Sequence, residues 1–226
     1  MNESWKTRSR SWFQPIARWL ADRGVTPDAI SAAGVFLSLV AALLLARGAF
    51  LGAALILALT GLCDILDGDV ARLRGMTTRF GAFLDSTLDR VGEGALFCGL
   101  ATYYFTRADS GEVLRIGDPD GQSLAILALA TLVLSLLVSY TRARAEGLGL
   151  ECKVGIMERP ERLLMLMAGA LLGRNYMPGV LGILFLLTLV TVLQRVYHVR
   201  RLTRPEPAPR PQPIEPESDP APRSGS

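Results

Sequence analysis

The sequence has few of the residues that build histidine metal centres or disulfide frameworks. A single histidine, His198, is not enough for a histidine-ligated metal site, and we interpret it as an interfacial side chain. The three cysteines show no pairing pattern, and Cys63 and Cys98 fall in apolar stretches where a thiol packs as a small side chain. The first 25 residues lack an apolar core followed by a cleavage site, so no cleavable signal peptide is predicted.

Apolar residues, by contrast, are abundant. Half of the 226 residues are hydrophobic and the mean hydropathy is +0.32, values typical of a polytopic membrane protein. A chain of this length with several spans leaves no room for a separate soluble domain. The expected environment is therefore the lipid bilayer, and no nucleic-acid partner is predicted.

The first 27 residues are predicted to form an interfacial segment. Residues 9–22 pair apolar positions, two tryptophans among them, with basic ones. This pattern is typical of an amphipathic helix that lies at the headgroup level of a membrane. Thr26 as an N-cap and Pro27 at the first helical position predict that the next helix starts directly afterwards.

Residues 28–202 are predicted to form six membrane helices, which makes the fold class an all-α integral membrane protein. The fifth reaches spanning length only if its helix starts within 158–162. Beyond residue 203 the chain is rich in proline, glutamate and serine, and residues 203–226 are predicted to be a disordered tail. The predicted helical cores are 29–46, a second beginning near 52, 79–105, 123–140 continuing to 146, 163–172 and 179–193.

The basic residues predict the orientation of these helices. Nearly all of them fall in the N-terminus, residues 72–79, residues 142–162 and the C-terminal end, whereas the opposite loops hold only four arginines. The positive-inside rule then predicts that both termini and the turn near residue 76 lie on the cytoplasmic side of the cytoplasmic membrane.

Four aspartates interrupt segments that otherwise predict membrane helices. Asp64 and Asp67 are three residues apart and Asp85 and Asp89 are four apart, so each pair shares a helix face. The two pairs are symmetrical about residues 74–78, which we interpret as the turn of a helical hairpin. Converging carboxylates repel each other unless a positive ion lies between them. Oxygen-only ligands favour Mg²⁺ or Mn²⁺, and two such ions about 4 Å apart can act on a phosphoryl group.

The residues around the aspartates leave two interpretations open. Gly68, Ala71 and Gly81 indicate either the close approach of a bulky ligand or close packing of the helices. Arg72 could neutralise a pyrophosphate or mark the membrane interface. Asp69, on the opposite side of its helix from Asp67, is interpreted as a solvent-exposed acid.

This pattern resembles the signature of the CDP-alcohol phosphotransferase family. The resemblance implies six membrane helices behind an N-terminal interfacial helix, a homodimer, and two Mg²⁺ or Mn²⁺ ions per active site. It also implies an enzyme whose lipid donor is CDP-diacylglycerol and whose second product is CMP. The eight matching positions are Asp64, Asp67, Gly68, Ala71, Arg72, Gly81, Asp85 and Asp89.

The resemblance also implies roles for these residues. Asp64, Asp67 and Asp85 would bind metal, and Asp89 would contact metal while acting as the general base on the acceptor hydroxyl. Ser31 falls where members of the family often carry a hydroxyl near the nucleotide. The residues that correspond to the part holding the CDP moiety are Gly68, Ala71, Arg72 and Gly81.

Two further acids lie close to the motif in the sequence. Asp28 departs from the amide that the family often carries at its position, so the resemblance gives it no role. Glu93 continues the face of Asp85 and Asp89, and we interpret it as a structural hydrogen-bonding residue.

Five arginines indicate the kind of acceptor. Arg142, Arg144, Arg159 and Arg162 lie in two stretches predicted near one membrane face, and Arg195 lies on the last helix. Arginine pairs with phosphate bidentately, so the set predicts a phosphorylated acceptor, although the positive-inside bias could explain any one of them. The two stretches are similar to the phosphatidylinositol phosphate synthase subgroup, which implies inositol phosphate as the acceptor. That subgroup typically has lysine where this chain has Arg142.

Other functions stay open at this point. Phosphatidylglycerophosphate synthase, with glycerol 3-phosphate as acceptor, is the first alternative and phosphatidylserine synthase the second. A cation transporter would place its acids at the middle of the spans, but Asp64 follows only about 20 Å of apolar helix in a core of about 30 Å. A prenyltransferase would need Asp-rich motifs on two widely separated hairpins, and only one hairpin here has them.

Overall fold

The fold is helical throughout the computed structural model, which describes residues 3–75, 78–109 and 120–204. Seven helices and no strand are found in these ranges. The helices are α1 (Glu3–Asp22), α2 (Pro27–Ala46), α3 (Phe50–Arg74), α4 (Arg79–Asp109), α5 (Gly121–Glu146), α6 (Arg159–Leu172) and α7 (Met177–Leu202).

Four of these helices, α2, α3, α5 and α7, are long and apolar enough to cross a membrane. The all-α membrane fold that the sequence predicts is therefore confirmed, while the count of six spans stays a prediction. Helix α4 has the length to cross but carries several charged residues, Asp85 and Asp89 among them, in its first half. Helix α6 has 14 residues, which is short for a span.

Several helix boundaries follow local signals in the sequence. The hydroxyl of Thr26 accepts a hydrogen bond of 3.3 Å from the backbone N–H of Ala29, and Pro27 follows it as the predicted first residue of α2. Helix α3 ends at Gly75, whose φ of 62° lies in the left-handed region that favours glycine. Helix α6 starts at Arg159, inside the 158–162 window that the sequence predicts.

Two predicted boundaries were wrong. Helix α1 begins at Glu3, six residues before the predicted amphipathic stretch at residue 9, and α4 continues to Asp109 instead of ending at residue 105. Polar residues do not stop a helix when their backbone groups stay paired, so hydropathy locates the apolar core of a helix better than its ends. The interfacial position of α1 stays a prediction, and residues 205–226 of the predicted tail lie outside the described residues.

Helix α2 separates the two helices that carry the aspartates. It packs closely on both α3 and α4, whereas α3 and α4 do not pack closely on each other. The predicted hairpin is therefore a splayed one, with a cleft between its two arms. A Cβ atom on Gly99 would lie 2.3 Å from the carbonyl oxygen of Ala42, so α2 and α4 approach at a point that only glycine permits.

The apolar core and the aspartates occupy different levels of the bundle. The largest buried cluster includes Leu57 of α3, Leu96 and Phe97 of α4, and Leu166 of α6. The aspartates come later along α3 and earlier along α4, which places them nearer the turn that joins these helices. A second, smaller cluster beside that turn packs Ala17 of α1 against α2 and α3.

Candidate active site

The four predicted aspartates face one another across the cleft. Asp64 and Asp67 reach it from α3, and Asp85 and Asp89 reach it from α4. Asp85 lies close enough to the other three to interact with each of them electrostatically. All but Asp85 are half-buried. The structure thus brings together the four acids that the spacing predicts, in a setting where their charges are not fully screened by water.

Arg159, at the start of α6, lies between acids of both helices. Its Nη1 atom is 2.7 Å from Oδ2 of Asp64, and its Nη2 atom is 3.0 Å from Oδ1 of Asp89. Its side chain is 20 % exposed, so the guanidinium can be reached from solvent. One cation therefore joins two carboxylates that belong to different arms of the hairpin.

A serine of α2 holds a third aspartate. The hydroxyl of Ser31 donates a hydrogen bond of 2.9 Å to Oδ2 of Asp67. The same hydroxyl lies 3.3 Å from the carbonyl oxygen of Pro27, one turn earlier on α2. The sequence places Ser31 near the nucleotide by resemblance, and the structure adds that it orients Asp67.

A cavity of about 170 Å³ opens beside these acids, between the first turns of α2 and α4 and the last turns of α3. Of its two glycines, Gly81 is the more tightly enclosed. A Cβ there would lie 3.0 Å from the Thr78 hydroxyl, while one on Gly68 would make ordinary contacts. The lining residues are Pro27, Asp28, Ser31, Asp67, Gly68, Ala71, Thr78, Gly81, Ala82 and Asp85.

Asp69 does not behave as the sequence predicts, and the role of Arg72 in the CDP site stays a prediction. Arg72 is absent from the cavity lining, and its guanidinium pairs with Asp69 one turn earlier on α3. Asp69 is 7 % exposed, so its interpretation as a solvated acid was wrong. Helix α3 packs against α1, α2 and α6, and more than one of its faces is therefore covered.

The five predicted acceptor arginines divide into a reachable group and a buried group. Arg142 forms an ion pair of 2.9 Å with Glu146 on the exposed end of α5, and Arg144 nearby is exposed. Arg159 is the cation described above. These three are accessible to a ligand that approaches the bundle from this end.

Arg162 and Arg195 are buried. Every nitrogen of the Arg162 guanidinium donates a hydrogen bond to a protein oxygen, two to Glu93 and one to Met157. Arg162 is therefore not available to bind an acceptor phosphate, which corrects the prediction for this residue. Arg195 donates to the carbonyl oxygens of Val154 and Val138, and its Nη2 atom lies 3.6 Å from Glu158.

The donor set at the acids suits a hard divalent cation. Carboxylate oxygens are the ligands that Mg²⁺ and Mn²⁺ prefer, and the Arg159 guanidinium already meets two of these carboxylates with positive charge. Among the described residues, no three such side chains converge at metal-binding distances. The residues fit a divalent ion by their chemistry, and the metal-ligand role of Asp64, Asp67, Asp85 and Asp89 stays a prediction.

Two residues of this region were missed by sequence reasoning. Thr78 caps α4 by accepting a hydrogen bond of 2.9 Å from the N–H of Gly81, and the preference of threonine for N-caps could have indicated it. Arg90 lies 3.4 Å from Oδ2 of Asp89 and also donates to the carbonyl of Ser86. Nothing in the spacing of the motif indicates Arg90.

Similar proteins fall in one family. The CDP-alcohol phosphatidyltransferase family matches residues 24–195. A phosphatidylinositol phosphate synthase of Streptomyces avermitilis is 38 % identical over 83 % of this chain and 77 % of its own length. An archaetidylinositol phosphate synthase of Methanothermobacter thermautotrophicus is 37 % identical over 88 % of this chain and 96 % of its own length.

Solved structures agree with these sequence matches. The crystal structure of Mycobacterium tuberculosis phosphatidylinositol phosphate synthase with CDP-DAG bound is 36 % identical, with a TM-score of 0.70 over 82 % of this chain and 92 % of that one. The structure of the same protein with manganese and citrate has a TM-score of 0.71 at 35 % identity, over 83 % of this chain and 88 % of that one. The family that the aspartate pattern predicts is confirmed: this chain belongs to the CDP-alcohol phosphatidyltransferases.

Proposed function

We propose that this protein transfers a phosphatidyl group from CDP-diacylglycerol to inositol phosphate, giving phosphatidylinositol phosphate and CMP. The observation that carries the proposal is the group of four facing carboxylates, in a chain whose relatives are phosphatidylinositol phosphate and archaetidylinositol phosphate synthases. The names of the bacterial and archaeal relatives differ in the lipid part, phosphatidyl or archaetidyl, and share the inositol phosphate part. The acceptor is therefore the better supported half of the substrate pair.

The cavity beside the acids is the proposed site of the CDP moiety. Gly68, Ala71 and Gly81 line it with little side-chain volume, and Ser31 lies at its wall. The M. tuberculosis relative, whose structure has CDP-DAG bound, supports CDP-diacylglycerol as the donor. Arg72 also belongs to the proposed site, because its exposed guanidinium lies beside Gly68, where a Cβ would be 3.7 Å from Nη2 of Arg72.

The aspartates are proposed to hold two divalent ions, Mg²⁺ or Mn²⁺. Manganese in the relative's structure supports a divalent metal. Bound ions of this kind neutralise phosphoryl oxygens and the charge that develops on a departing phosphate. Asp64, Asp67, Asp85 and Asp89 are the proposed ligands.

Asp89 is also the proposed general base. Its Oδ2 atom has only the long 3.4 Å contact with Arg90, so it is the oxygen free to accept the proton of the acceptor hydroxyl. The hydroxyl oxygen then forms a bond to the phosphorus that carries the diacylglycerol. The bond from that phosphorus to the bridging oxygen breaks, and CMP leaves with the electron pair.

The acceptor phosphate is proposed to bind among Arg142, Arg144, Arg159 and Arg195. Arg195 is buried, and its proposed contact is through Nη2, whose ion pair with Glu158 is 3.6 Å long. Arg142, Arg195 and Glu158 are close enough to interact electrostatically, and Glu158 directly precedes Arg159 in the chain. An acceptor whose phosphate binds these arginines would have its hydroxyl within reach of Asp89, because Arg159 contacts Asp89.

An acceptor panel tests this proposal. Purified protein is given CDP-diacylglycerol with inositol phosphate, glycerol 3-phosphate, serine or free inositol, and CMP release is followed. We expect turnover with inositol phosphate, its loss in excess EDTA, and its recovery with Mg²⁺ or Mn²⁺. Turnover with glycerol 3-phosphate and none with inositol phosphate would overturn the choice of acceptor, and full activity in EDTA would overturn the metal assignment.

A further inference from the structure

Two ion pairs connect α4 and α6 in register. Asp89 and Glu93 are one turn apart on α4, and Arg159 and Arg162 are one turn apart on α6. Asp89 pairs with Arg159 at 3.0 Å, and Glu93 pairs with Arg162 at 2.5 and 3.0 Å. The first pair lies at the active site, and the second lies one turn further from the α3–α4 turn along α4.

The second pair is fully enclosed. Arg162 is 1 % exposed and Glu93 is 7 % exposed, and the two planar groups meet through two parallel hydrogen bonds. No ligand can reach Arg162 without breaking this pair. The pair therefore acts inside the protein, although it belongs to the same two helices as the active site.

The start of α6 depends on these contacts. No side-chain cap closes the N-terminus of α6, since Glu158 makes no capping hydrogen bond. Arg162 donates from Nη1 to the carbonyl oxygen of Met157 at 2.9 Å, and the N–H of Met157 donates to the Thr191 hydroxyl at 3.0 Å. Glu93, through Arg162 and Met157, thus fixes the first turn of α6 against both α4 and α7.

Helix packing alone does not provide this alignment. The close helix neighbours of α6 are α3 and α7, whereas the backbones of α4 and α6 do not approach closely. Arg159 must extend from that first turn to reach Asp64 and Asp89 together. A small rotation of α6 would move the Arg159 guanidinium away from at least one of these two carboxylates.

We propose that Glu93 and Arg162 are positioning residues, whose buried ion pair holds α6 so that Arg159 contacts Asp64 and Asp89 at once. The proposal deepens the proposed function and depends on it for the reaction that is measured. It predicts that Glu93 affects turnover through Arg159 and leaves the CDP site of α2, α3 and α4 unchanged.

A double-mutant cycle on the full-length protein tests this. We expect Glu93→Gln to lower kcat about 10- to 100-fold, because a small displacement of a positioned group is enough for a loss of that size. The KM for CDP-diacylglycerol should change by less than about twofold. In an Arg159→Gln background, the same Glu93→Gln change should lower kcat by no more than about twofold, since the residue it acts through is gone.

The outcomes separate positioning from general stability. Equal losses in both backgrounds, or a rise in the KM for CDP-diacylglycerol that matches the fall in kcat, would overturn the proposal. Thermal unfolding of each variant is measured alongside, and Glu93→Asp, which keeps the charge and shortens the side chain, replaces Glu93→Gln if that variant does not fold. Glu151→Gln, in the exposed pair with Lys153, is the matched control and should leave kcat unchanged.

The acceptor panel tests the proposed function separately from the role of Glu93 and Arg162. Wild-type turnover on the acceptor panel is measured first, and the cycle is run with whichever acceptor the wild type uses. If inositol phosphate is not that acceptor, the proposed function fails while the cycle still tests Glu93 and Arg162.

Discussion

At the scale of single residues, spacing predicts which acids share a site but not what neutralises them. The i,i+3 and i,i+4 spacing of the aspartates was enough to predict that all four lie at one cleft. The partner of Asp64 is Arg159, which lies 95 residues later in the chain. Helical periodicity in a sequence does not predict contacts between residues so far apart. Asp69 was misjudged for a related reason, since the angular position on a helix does not say which faces are covered.

Asp89 gives the sharpest prediction at this scale. Asp89→Asn keeps the shape of the side chain and removes its basicity, so kcat should fall by at least about 100-fold, as for other general bases. Binding of CDP-diacylglycerol should stay within about twofold, because Asp89 does not line the cavity. Steady-state CMP release and direct lipid binding measure the two effects.

A matched control for this variant is Asp22→Asn. Asp22 is an exposed acid at the end of α1, outside the proposed site, and its variant should keep full activity. An Asp89→Asn enzyme with wild-type kcat would remove Asp89 from the role of base.

At the scale of helices, the sequence predicts where a helix starts better than it predicts which helices pack on each other. Thr26 and Pro27 predicted the beginning of α2, because capping is a local property. The position of α2 between α3 and α4 was not predicted, since a hairpin motif suggests that its two arms pack on each other. Gly99 permits the close approach of α2, but nothing in the sequence around it indicates that role.

Gly99 provides a test of this packing. Gly99→Ala places a methyl group against the Ala42 carbonyl, and α2 or α4 must shift to accept it. We expect a loss of about 1–3 kcal/mol in stability, as for other overpacked interiors, read as a lower Tm in detergent.

Gly94→Ala is the matched control on the same helix. Its Cβ would lie 3.8 Å from a Leu132 methyl group, an ordinary contact, and alanine favours helix by up to about 1 kcal/mol over glycine. The Tm of this variant should be unchanged or slightly raised. Equal Tm changes for the two variants would contradict the close approach at Gly99.

At the scale of the whole molecule, hydropathy identified the chain as a membrane protein. The charged residues in α4 and α6 make the number of spans harder to predict. Helices α4 and α6 were predicted to cross, yet length and composition support only α2, α3, α5 and α7. The acids and arginines that form the site are the residues that lower the apolar character of α4 and α6. Homodimer formation and the cytoplasmic side of the termini also stay predictions at this scale.

A topology experiment distinguishes six spans from four. With the N-terminus inside, six spans put the segment between α4 and α5 outside and the segment between α5 and α6 inside, while four spans reverse both. We expect a phosphatase reporter inserted between Asp109 and Asp120 to be active in the periplasm. A fluorescent reporter inserted in the loop after Glu146 should fluoresce in the cytoplasm, and the reverse pattern would contradict six spans.

The pairing of α4 with α6 also bears on how the chain enters the membrane during synthesis. An arginine placed in hydrocarbon costs about 2.5–3.5 kcal/mol on insertion scales, and α6 brings two of them in its first turn. Helix α4 leaves the ribosome well before α6, so Asp89 and Glu93 are already present when those arginines arrive. If α6 crosses the membrane as predicted, the order of helices along the chain provides each arginine with its acid as α6 is inserted, and a circular permutant that delivered α6 first would insert both arginines before their acids.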